Sequence, residues 1–475
     1  MADRYDAVVV GAGPNGLAAA LTLAREGLSV CVIEAEAGVG GGVRSAEITL
    51  PGFVHDLCSG VHPLAVGSPF FRSLALGPEE VAWVHPSIPF AHPFDDRPAA
   101  RLERGVEATA AALGRDADAY RSLVGPFVGR WDEIADDVLA PLGVPRKPTL
   151  FLRFGLRALR SASSLAGRFE GEAGRALIAG VSAHAAMPLE RAPTGGVALV
   201  LMILAHEVGW PVPRGGAQHI ADALAARLRG LGGQIVTGLR VQTLADVPPA
   251  RAILFDVTPR QLVAIAGDVL PARYRRRLAR FRYGSGVFKL DWALAEPIPW
   301  QDPVCDGAGT VHLGGTLSEI AAAERDVAHG RVPERPYVLL AQPSRFDPTR
   351  APRGRHTAWG YCHVPHGADV DMTSAIEDQI ERFAPGFRDI VLARSAMKPA
   401  DLERIDRNHV GGSIDGGALD LSQTFARPVP SLDPYSIPVR GLYLCSSSTP
   451  PGSGVHGMCG FLAARSALRR TFRSK

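Results

Sequence analysis

The N-terminal end of the chain runs from an apolar strand pattern through a glycine-rich turn into a helical pattern. An apolar run with β-branched residues, Asp6 to Val10, is followed at once by Gly11-Ala-Gly13-Pro-Asn-Gly16 and then by the helical composition of Leu17 to Glu26. Gly11 permits a tight turn, Gly13 lets the backbone approach a pyrophosphate, and Gly16 allows the helix to pack closely on the strand. At such a helix N-terminus, free N–H groups and the positive dipole end each stabilise an anion by up to about 1 kcal/mol. The pattern therefore predicts a dinucleotide-binding fold.

A second strand and a second glycine cluster follow this turn. The strand pattern Ser29 to Ile33 ends at Glu34, where a carboxylate accepts hydrogen bonds from the ribose hydroxyls of an adenosine and disfavours a 2′-phosphate. NAD and FAD share this fingerprint, so the choice between them depends on other segments. The next residues, Ala35-Glu-Ala-Gly-Val-Gly40-Gly41-Gly42-Val-Arg44-Ser45, would let the backbone pass close to a cofactor, with Arg44 and Ser45 meeting a phosphate or the ribityl chain. This cluster is the first indication of FAD.

The C-terminal part again shows a strand, a glycine-rich loop and a helix. The strand Gly441 to Cys445 precedes Ser446-Ser-Ser-Thr-Pro-Pro-Gly-Ser-Gly454-Val-His456-Gly457-Met-Cys-Gly460 and a helix. The middle of the chain adds Gly209 to Gly216 before an alanine-rich helix, and Phe255-Asp-Val-Thr-Pro259 at the end of a strand. With these motifs the sequence resembles the phytoene desaturase-like branch of the FAD-dependent amine oxidase superfamily. That branch includes bacterial carotenoid desaturases, carotenoid isomerases, retinol saturase and pyridine nucleotide-disulphide oxidoreductase domain-containing protein 2.

The resemblance implies an α/β fold with two interleaved domains. A Rossmann-like FAD-binding domain would be assembled from residues 1–62, 213–259 and 435–475, and residues 63–212 and 260–434 would form an α+β substrate domain. In this family the C-terminal helix points its N-terminus at the pyrimidine edge of the isoalloxazine ring. One departure is that the last strand runs into Cys445-Ser446-Ser447-Ser448, where relatives often carry a glycine. Hydroxyls and backbone N–H groups would then hold the polar chain of the flavin.

The expected FAD-binding residues lie in the two glycine clusters and the C-terminal loop. They are Gly11, Gly13, Pro14, Asn15, Gly16, Glu34, Ala35, Gly41, Gly42, Val43, Arg44, Ser45, Ser446, Ser447, Gly454, Val455, His456 and Gly457. Donors at the C-terminal helix would stabilise the negative charge of a reduced flavin. His456 is also a catalytic candidate, since it would touch the ring or exchange a proton; the alternative is a loop histidine turned away from the flavin.

Two further catalytic candidates lie on predicted strands of the substrate domain. In Thr357 to Val364, Tyr361 shares one face with Trp359 and His363, a face that would line an apolar pocket with a proton donor at its end. We favour the alternative of an aromatic stripe in a sheet core. In Phe288 to Leu294, Lys289 is a candidate because some amine oxidases hold a lysine near flavin N5 through a water. Here we favour a solvated strand face, as alternation with outward charges suggests.

Composition and charge narrow the classes of function. The chain has 475 residues, 46% hydrophobic and 21% charged, and a net charge of +3, which is too small for a nucleic-acid binder. No apolar run approaches the roughly 20 residues of a spanning helix, and the first strand begins too close to Met1 for a signal peptide. The six cysteines form no Cys-x-x-Cys pair, so we expect a reducing cytoplasm and no metal site.

One segment has the composition of a membrane-surface helix. Arg153, Arg157 and Arg160 fall at helical spacing within residues 150–169, and leucines and phenylalanines fill the rest. A basic amphipathic helix of this kind lies on anionic membranes, so peripheral membrane contact is one interpretation. We favour the other one, an ordinary helix of the substrate domain with its arginines in water.

The predicted function is an FAD-dependent oxidoreductase that moves a hydride between flavin and a C–C bond of an apolar or amphipathic small molecule. Desaturase, saturase and isomerase chemistry all remain open, and no second Gly-x-Gly-x-x-Gly indicates a separate NAD(P)H domain. The alternatives are a flavin amine oxidase acting on a C–N bond and a non-catalytic flavin-binding interaction protein. The substrate, the electron partner and the oligomeric state do not follow from the sequence.

Overall fold

The structure is a computed structural model that describes residues 4–472. A five-stranded parallel sheet forms one of its two halves. In spatial order its strands are Leu442–Leu444, Ala250–Phe255, Tyr5–Val10, Val30–Ile33 and Gln234–Val236. The strands come from three separate stretches of the chain, and the predicted Rossmann-like α/β fold is confirmed. The predicted domain boundaries stay a prediction, and the ends of two predicted stretches, residues 1–3 and 473–475, lie outside the described residues.

The strands of this sheet consist mostly of apolar residues, as a parallel sheet requires when helices and loops cover both of its faces. Tyr5–Val10 is buried at every position except Asp6, and Val30–Ile33 is buried throughout. The helix Pro14–Ala24 packs between the helices Gln218–Gly230 and Met458–Ala467. Its approach to Met458–Ala467 is close, since a Cβ on Gly460 would lie 1.8 Å from the carbonyl oxygen of Asn15.

A second, seven-stranded sheet has a helix on one face. Its strands, in spatial order, are Val391–Met397, Gly286–Leu294, His356–Val364, Val338–Ala341, Ala308–Leu313, Ile88–His92 and Ala100–Leu102. All neighbouring pairs are antiparallel except Ala308–Leu313 with Ile88–His92. Alternate apolar residues such as Leu290, Trp292 and Cys362 pack with the helix Thr373–Phe383 in one core. The opposite face of the sheet contributes to the functional cavity described below.

A layer of helices completes this half of the molecule. Its members are Val106–Ala112, Ala117–Val124, Trp131–Val138, Pro148–Ala158, Ala162–Ala166, Glu172–Ser182 and Thr194–Glu207. The predicted single amphipathic helix within 150–169 is therefore wrong: Pro148–Ala158 ends first, and a new helix starts after Ser161, whose hydroxyl accepts a hydrogen bond from the Ser164 N–H. Such N-terminal capping by serine favours a new helix start over continuation.

The remaining helices connect the two sheets or cover their edges. They are Pro63–Val66, Pro69–Leu74, Pro259–Ala266, Ala272–Leu278, Leu317–Ala328, Pro399–Ile405 and Leu421–Ala426. Two short ribbons pair Ser45–Ala46 with His55–Asp56 and Trp83–Val84 with Val212–Pro213. Across residues 4–472, no helix combines the length and the apolar character that crossing a membrane requires.

Candidate functional site

One cavity of about 830 Å³ joins the parallel sheet, the seven-stranded sheet and the helical layer. At one end its lining includes Val10, Gly11 and Ile33, at the carboxyl ends of the parallel strands. At the other end it includes Phe151 and Phe154 of the helix Pro148–Ala158. Ligands of open parallel sheets bind at the carboxyl ends of the strands, so this cavity is the candidate site.

The first glycine turn is shaped by contacts that exclude side chains. Gly11 has a positive φ of 104°, which a β-carbon disfavours. A Cβ on Gly16 would lie 2.1 Å from the Gly11 carbonyl oxygen, and one on Gly13 would lie 2.9 Å from Oδ2 of Asp256. Gly11, Gly13, Pro14 and Asn15 line the cavity, whereas Gly16 does not and instead permits the tight turn.

Asp256 lies against this turn, and the sequence analysis did not identify it. Its Oδ2 accepts a hydrogen bond from the Gly16 N–H at 2.8 Å, and the residue lines the cavity. Burial, and to a smaller extent the charges of Asp406 and Glu34, raise the pKa of this carboxyl to about 8 against the lowering effect of the Gly16 N–H. Asp256 occupies the Gly16 N–H, but in its protonated form it repels an anion at the other N–H groups of the turn less than a carboxylate would.

Glu34 lies in the cavity wall, as predicted for a ribose-binding carboxylate. Its Oε2 accepts a hydrogen bond from the Ala12 N–H at 2.7 Å, and its Oε1 accepts one from the Glu36 N–H at 2.9 Å. Burial raises the pKa of Glu34 despite these two hydrogen bonds. Each carboxylate oxygen has a second lone pair that a ligand hydroxyl can use.

The second glycine cluster packs directly on the first. A Cβ on Gly41 would lie 3.2 Å from the Cα of Gly13, and Ala35, Gly41, Gly42, Val43 and Arg44 all line the cavity. Arg44 donates to the carbonyl oxygens of Gly41 and Ile405, so its guanidinium is partly committed to the protein.

The prediction that Ser45 meets the cofactor needs correction. Its hydroxyl donates to Oδ1 of Asp56 at 2.7 Å and accepts from the Gln218 N–H, and the residue is not part of the cavity lining. Ser45 instead belongs to a buried network around Asp56, whose carboxylate also binds Arg350. The pairing of Ser45–Ala46 with His55–Asp56 turns the side chain toward that network.

The C-terminal loop contributes four of its predicted residues to the cavity, namely Ser446, Ser447, Gly454 and Val455. The hydroxyl of Ser447 accepts a hydrogen bond from Nδ2 of Asn15 at 3.2 Å, which joins this loop to the first turn. Oδ1 of Asn15 is buried and has no hydrogen-bond partner among the described residues. These contacts fit the polar chain of a dinucleotide.

His456 and Gly457 do not line the cavity. His456 is fully buried, its Nδ1 accepts a hydrogen bond from the Met458 N–H, and burial lowers its pKa to about 4. A Cβ on Gly457 would lie 2.5 Å from the Phe70 ring, so this residue packs against the protein. Of the two interpretations of His456, the structure favours a neutral histidine turned away from the cavity.

Tyr361 and Trp359 line the cavity as a parallel aromatic pair. Their ring centroids are 6.3 Å apart and the planes differ by 4°. The alternation predicted along His356–Val364 is confirmed, since Cys362 and Ala358 pack into the opposite core. Trp359 and Tyr361 are also buried members of a hydrophobic core, so the stripe is both part of the sheet core, as favoured, and a wall of the cavity.

Lys289 is buried, so the favoured prediction that it lies on a solvated strand face is wrong. Its side chain is 3% exposed, its Nζ forms an ion pair with Asp291, and Nζ lies 5.8 Å from the centroid of the Trp359 ring. The strand Gly286–Leu294 lies inside the sheet and is buried at all nine positions. The charged residues that alternate with its apolar ones are therefore shielded from solvent. Lys289 lies behind the aromatic pair and outside the cavity lining.

Comparisons with known proteins agree with this geometry. Residues 9–72 match the family described as the NAD(P)-binding Rossmann-like domain. The chain is 29% identical to pyridine nucleotide-disulfide oxidoreductase domain-containing protein 2 of Mus musculus, over 98% of this chain and 94% of the mouse protein. It is 24% identical to the lycopene-forming phytoene desaturase of a Paracoccus strain, over 96% of this chain and 95% of the enzyme.

A solved structure of putrescine oxidase bound to putrescine shares the fold. It superimposes with a TM-score of 0.62 at 18% sequence identity, over 98% of this chain and 99% of the other. Sequence relatives and fold together confirm the resemblance that the motifs predict. This chain is similar to the phytoene desaturase-like oxidoreductases of the amine oxidase superfamily.

Proposed function

We propose that this protein is an FAD-dependent oxidoreductase that transfers a hydride between the flavin and a C–C bond of an apolar or amphipathic molecule. The observation that carries the proposal is the continuity of one cavity from the glycine turn at Gly11 to the apolar helix Pro148–Ala158. A cofactor site and an apolar substrate site therefore share one continuous cavity. A non-catalytic flavin protein would not need the second part of this volume.

The residues at the sheet end fit FAD. Glu34 offers acceptors for a ribose, and the turn at Gly13 and the helix N-terminus offer N–H groups for a pyrophosphate. When bound, FAD supplies two-electron hydride chemistry. The protein's own part is to hold the cofactor, exclude water and shape the substrate space.

The far end of the cavity supports an apolar substrate. Phe151, Phe154, Val197, Val200 and Leu201 line it, from the helices Pro148–Ala158 and Thr194–Glu207. Apolar walls of this kind favour hydrocarbon by the area removed from water, about 25 cal/mol per Å². A carbon chain fits such walls better than a charged amine does.

Exposed leucines at the rim of this apolar end support the hypothesis of peripheral membrane contact that the sequence pattern suggests. Leu142, Leu152 and Leu156 are 66%, 62% and 63% exposed, and Leu142 also lines the cavity. Arg153 lies in the same helix as Leu152 and Leu156, and Arg160 follows the end of that helix, whereas Arg157 donates to the Ser122 carbonyl oxygen. We propose that this rim docks on an anionic lipid surface, so that an apolar substrate enters the cavity from the bilayer.

Oxidation of a C–N bond is the second candidate, and the pair Trp359 and Tyr361 favours it. Parallel aromatic rings in a cavity wall suit an amine, because their π-faces attract a cation. The two candidates differ in their products: amine oxidation with oxygen as acceptor yields hydrogen peroxide and an imine, whereas C–C chemistry changes the polyene absorbance of the substrate.

The first experiment follows the visible absorbance of the purified yellow protein under anaerobic conditions after NADH or NADPH is added. Bleaching would support a saturase or a reduced-flavin isomerase, and persistence would direct the search to desaturation or amine oxidation. Whether or not the absorbance bleaches, phytoene in phosphatidylglycerol vesicles is then used to test for C–C chemistry, and putrescine in buffer to test for C–N oxidation. A protein that neither purifies with FAD nor takes it up on reconstitution would overturn the proposal.

A further inference from the structure

Asp415 is a buried carboxylate in the cavity wall that sequence analysis did not identify. It lies between the short 3-10 helix Val410–Gly412 and the helix Leu421–Ala426, and the residue is 5% exposed. Its Oδ1 accepts a hydrogen bond from the Ser453 hydroxyl at 3.1 Å. Among the described residues, no hydrogen bond reaches Oδ2. One oxygen is therefore held by the protein, and the other is available.

The contact with Ser453 places Asp415 beside the predicted flavin-binding loop. Ser453 and its neighbour Gly454 both line the cavity. The loop that carries Asp415 is also pressed against Ser447, because a Cβ on Gly416 would lie 2.5 Å from the Ser447 Cβ. Asp415 thus lies where the expected cofactor segment meets the aromatic wall of the cavity.

Several charged or titratable groups face Asp415. His363 acts from the strand His356–Val364, His409 from the segment before Val410–Gly412, and Arg427 from the segment after Leu421–Ala426. Tyr361 lines the same cavity, and the charge of Asp415 is one of the causes that raise the pKa of the tyrosine. Burial raises the pKa of Asp415 to about 6, although His363, Ser453, Arg427 and His409 all lower it. Both protonation states are accessible near neutral pH.

Behind the cavity wall, His363 forms a buried ion pair with Glu324. The Nδ1–Oε1 distance is 2.8 Å and both side chains are at most 2% exposed. Burial lowers the pKa of His363, but the charge and hydrogen bond of Glu324 outweigh that effect and the net pKa is raised. The other oxygen of Glu324, Oε2, has no partner among residues 4–472. The contact with Glu324 therefore favours the protonated form of His363, whose charge interacts with that of Asp415.

We propose that Asp415 is the acid–base residue of this cavity and that Glu324 is a positioning residue that keeps His363 charged beside it. In desaturation, Asp415 would take the proton from one substrate carbon, and the neighbouring carbon would lose a hydride, which is the chemistry that bound FAD would supply. The electron pair of the broken C–H bond forms the C=C bond, and both hydrogens are accounted for. In saturation, Asp415 returns the proton to the carbon next to the one that receives the hydride.

This inference rests on the proposed function, but its test does not require the substrate. The flavin-loaded protein is photoreduced without oxygen, and the protons taken up per two electrons are measured with an indicator dye between pH 5 and 8. A reduced flavin carries negative charge, which would raise the proton affinity of a nearby carboxylate. We expect the wild type to take up extra protons over a window just above pH 6, and Asp415→Asn to lack this window.

Two further variants test the positioning role. Glu324→Gln removes the charge that holds His363 protonated, so Asp415 loses a positive neighbour and the window should move to higher pH. Glu377→Gln is the control, because Glu377 is also a buried helical carboxylate and is not part of the cavity lining. Its partners are Trp292, Arg388 and Arg394. Its window should coincide with that of the wild type.

The outcomes separate this inference from the proposed function. Equal proton uptake by wild type and Asp415→Asn, with flavin bound to both, would overturn the role of Asp415 and leave the flavin function intact. A shift in Glu377→Gln as large as that in Glu324→Gln would overturn the positioning role. Carbon-13 labelling of aspartate carboxyls gives a readout without flavin: a signal that titrates near pH 6 and is absent from Asp415→Asn is expected, and its absence from the wild type would overturn the inference.

Discussion

The backbone N–H of Gly16 donates a hydrogen bond to the carboxyl of Asp256 across 2.8 Å, which joins the start of the helix Pro14–Ala24 to the end of the strand Ala250–Phe255. Two segments 240 residues apart thereby form one wall of the cofactor end of the cavity. Substitutions of Asp256 and of Gly16 each lead to a testable prediction.

The first prediction is that Asp256 makes stability fall as pH rises. Its pKa is about 8 in the native protein against an ordinary value of 3.8, so the native state keeps a proton that the unfolded chain releases. The contribution of this proton to the free energy of unfolding is fully present below pH 4. It is lost as the pH rises toward 8, by up to about 1.4 kcal/mol per pH unit. Asp256→Asn, which mimics the protonated form, should show a flatter profile of thermal midpoint against pH. Parallel profiles would contradict the assignment.

The second prediction concerns Gly16. In Gly16→Ala the new methyl group would lie 2.1 Å from the Gly11 carbonyl oxygen, so the turn must open. We expect the flavin-to-protein ratio after purification to fall at least tenfold and the thermal midpoint to drop. Gly230→Ala is the control, because a Cβ there meets nothing within 4 Å at the end of a helix. Normal flavin content in Gly16→Ala would refute the predicted role of the turn.

The third prediction concerns Arg350, which is fully buried between Asp56 and Asp347. Both Nη1–Oδ2 and Nε–Oδ2 distances are 3.0 Å. Arg350→Met would leave two buried carboxylates without their cation, at a cost of about 3 to 5 kcal/mol in unfolding free energy. Urea denaturation measures the loss.

Arg331→Met supplies the comparison for Arg350, because its side chain is 62% exposed and pairs with Asp326 at the surface. We expect that change to stay within about 1 kcal/mol of the wild type. If Arg350→Met is no more destabilising than Arg331→Met, the buried cation does not hold these segments together.

The fourth prediction concerns the exposed leucines at the rim of the apolar end. The double variant Leu152→Ser and Leu156→Ser should sediment with phosphatidylglycerol vesicles at least fivefold less than the wild type, because it removes apolar area that would enter the bilayer. Binding by the wild type should weaken in high salt, since the arginines contribute through screened charge. Leu231→Ser, which changes another exposed leucine, is the control. Equal sedimentation of all three proteins would contradict membrane docking.

The cofactor end of the site could be predicted from sequence because its signals are local. The glycines of the first turn and Glu34 follow strands at fixed spacing, and the structure places Gly11, Gly13 and Glu34 in one cavity wall. His456 has the same loop context, but local sequence does not specify which way a side chain turns. Its local bond from the Met458 N–H is accompanied by one from the hydroxyl of Ser68, 388 residues away, which donates to the His456 carbonyl oxygen.

The substrate end could not be predicted in the same way. Lys289 alternates with apolar residues as a surface strand does, yet its strand has neighbours on both sides and is covered on both faces. Glu324 pairs with a histidine 39 residues away, and Asp415 depends on a contact 38 residues away. Tertiary contacts of this kind leave no periodic signal in the chain.

The order of strands in the parallel sheet also has a consequence for biosynthesis. The edge strand Leu442–Leu444 and the cavity residues that follow it, such as Ser447 and Gly454, are translated long after Tyr5–Val10. Domains assemble as their segments leave the ribosome, so this wall of the cavity stays incomplete until Leu442–Leu444 and the loop after it have been translated. A nascent chain held on the ribosome by arrest before Leu442 should therefore not retain the proposed flavin.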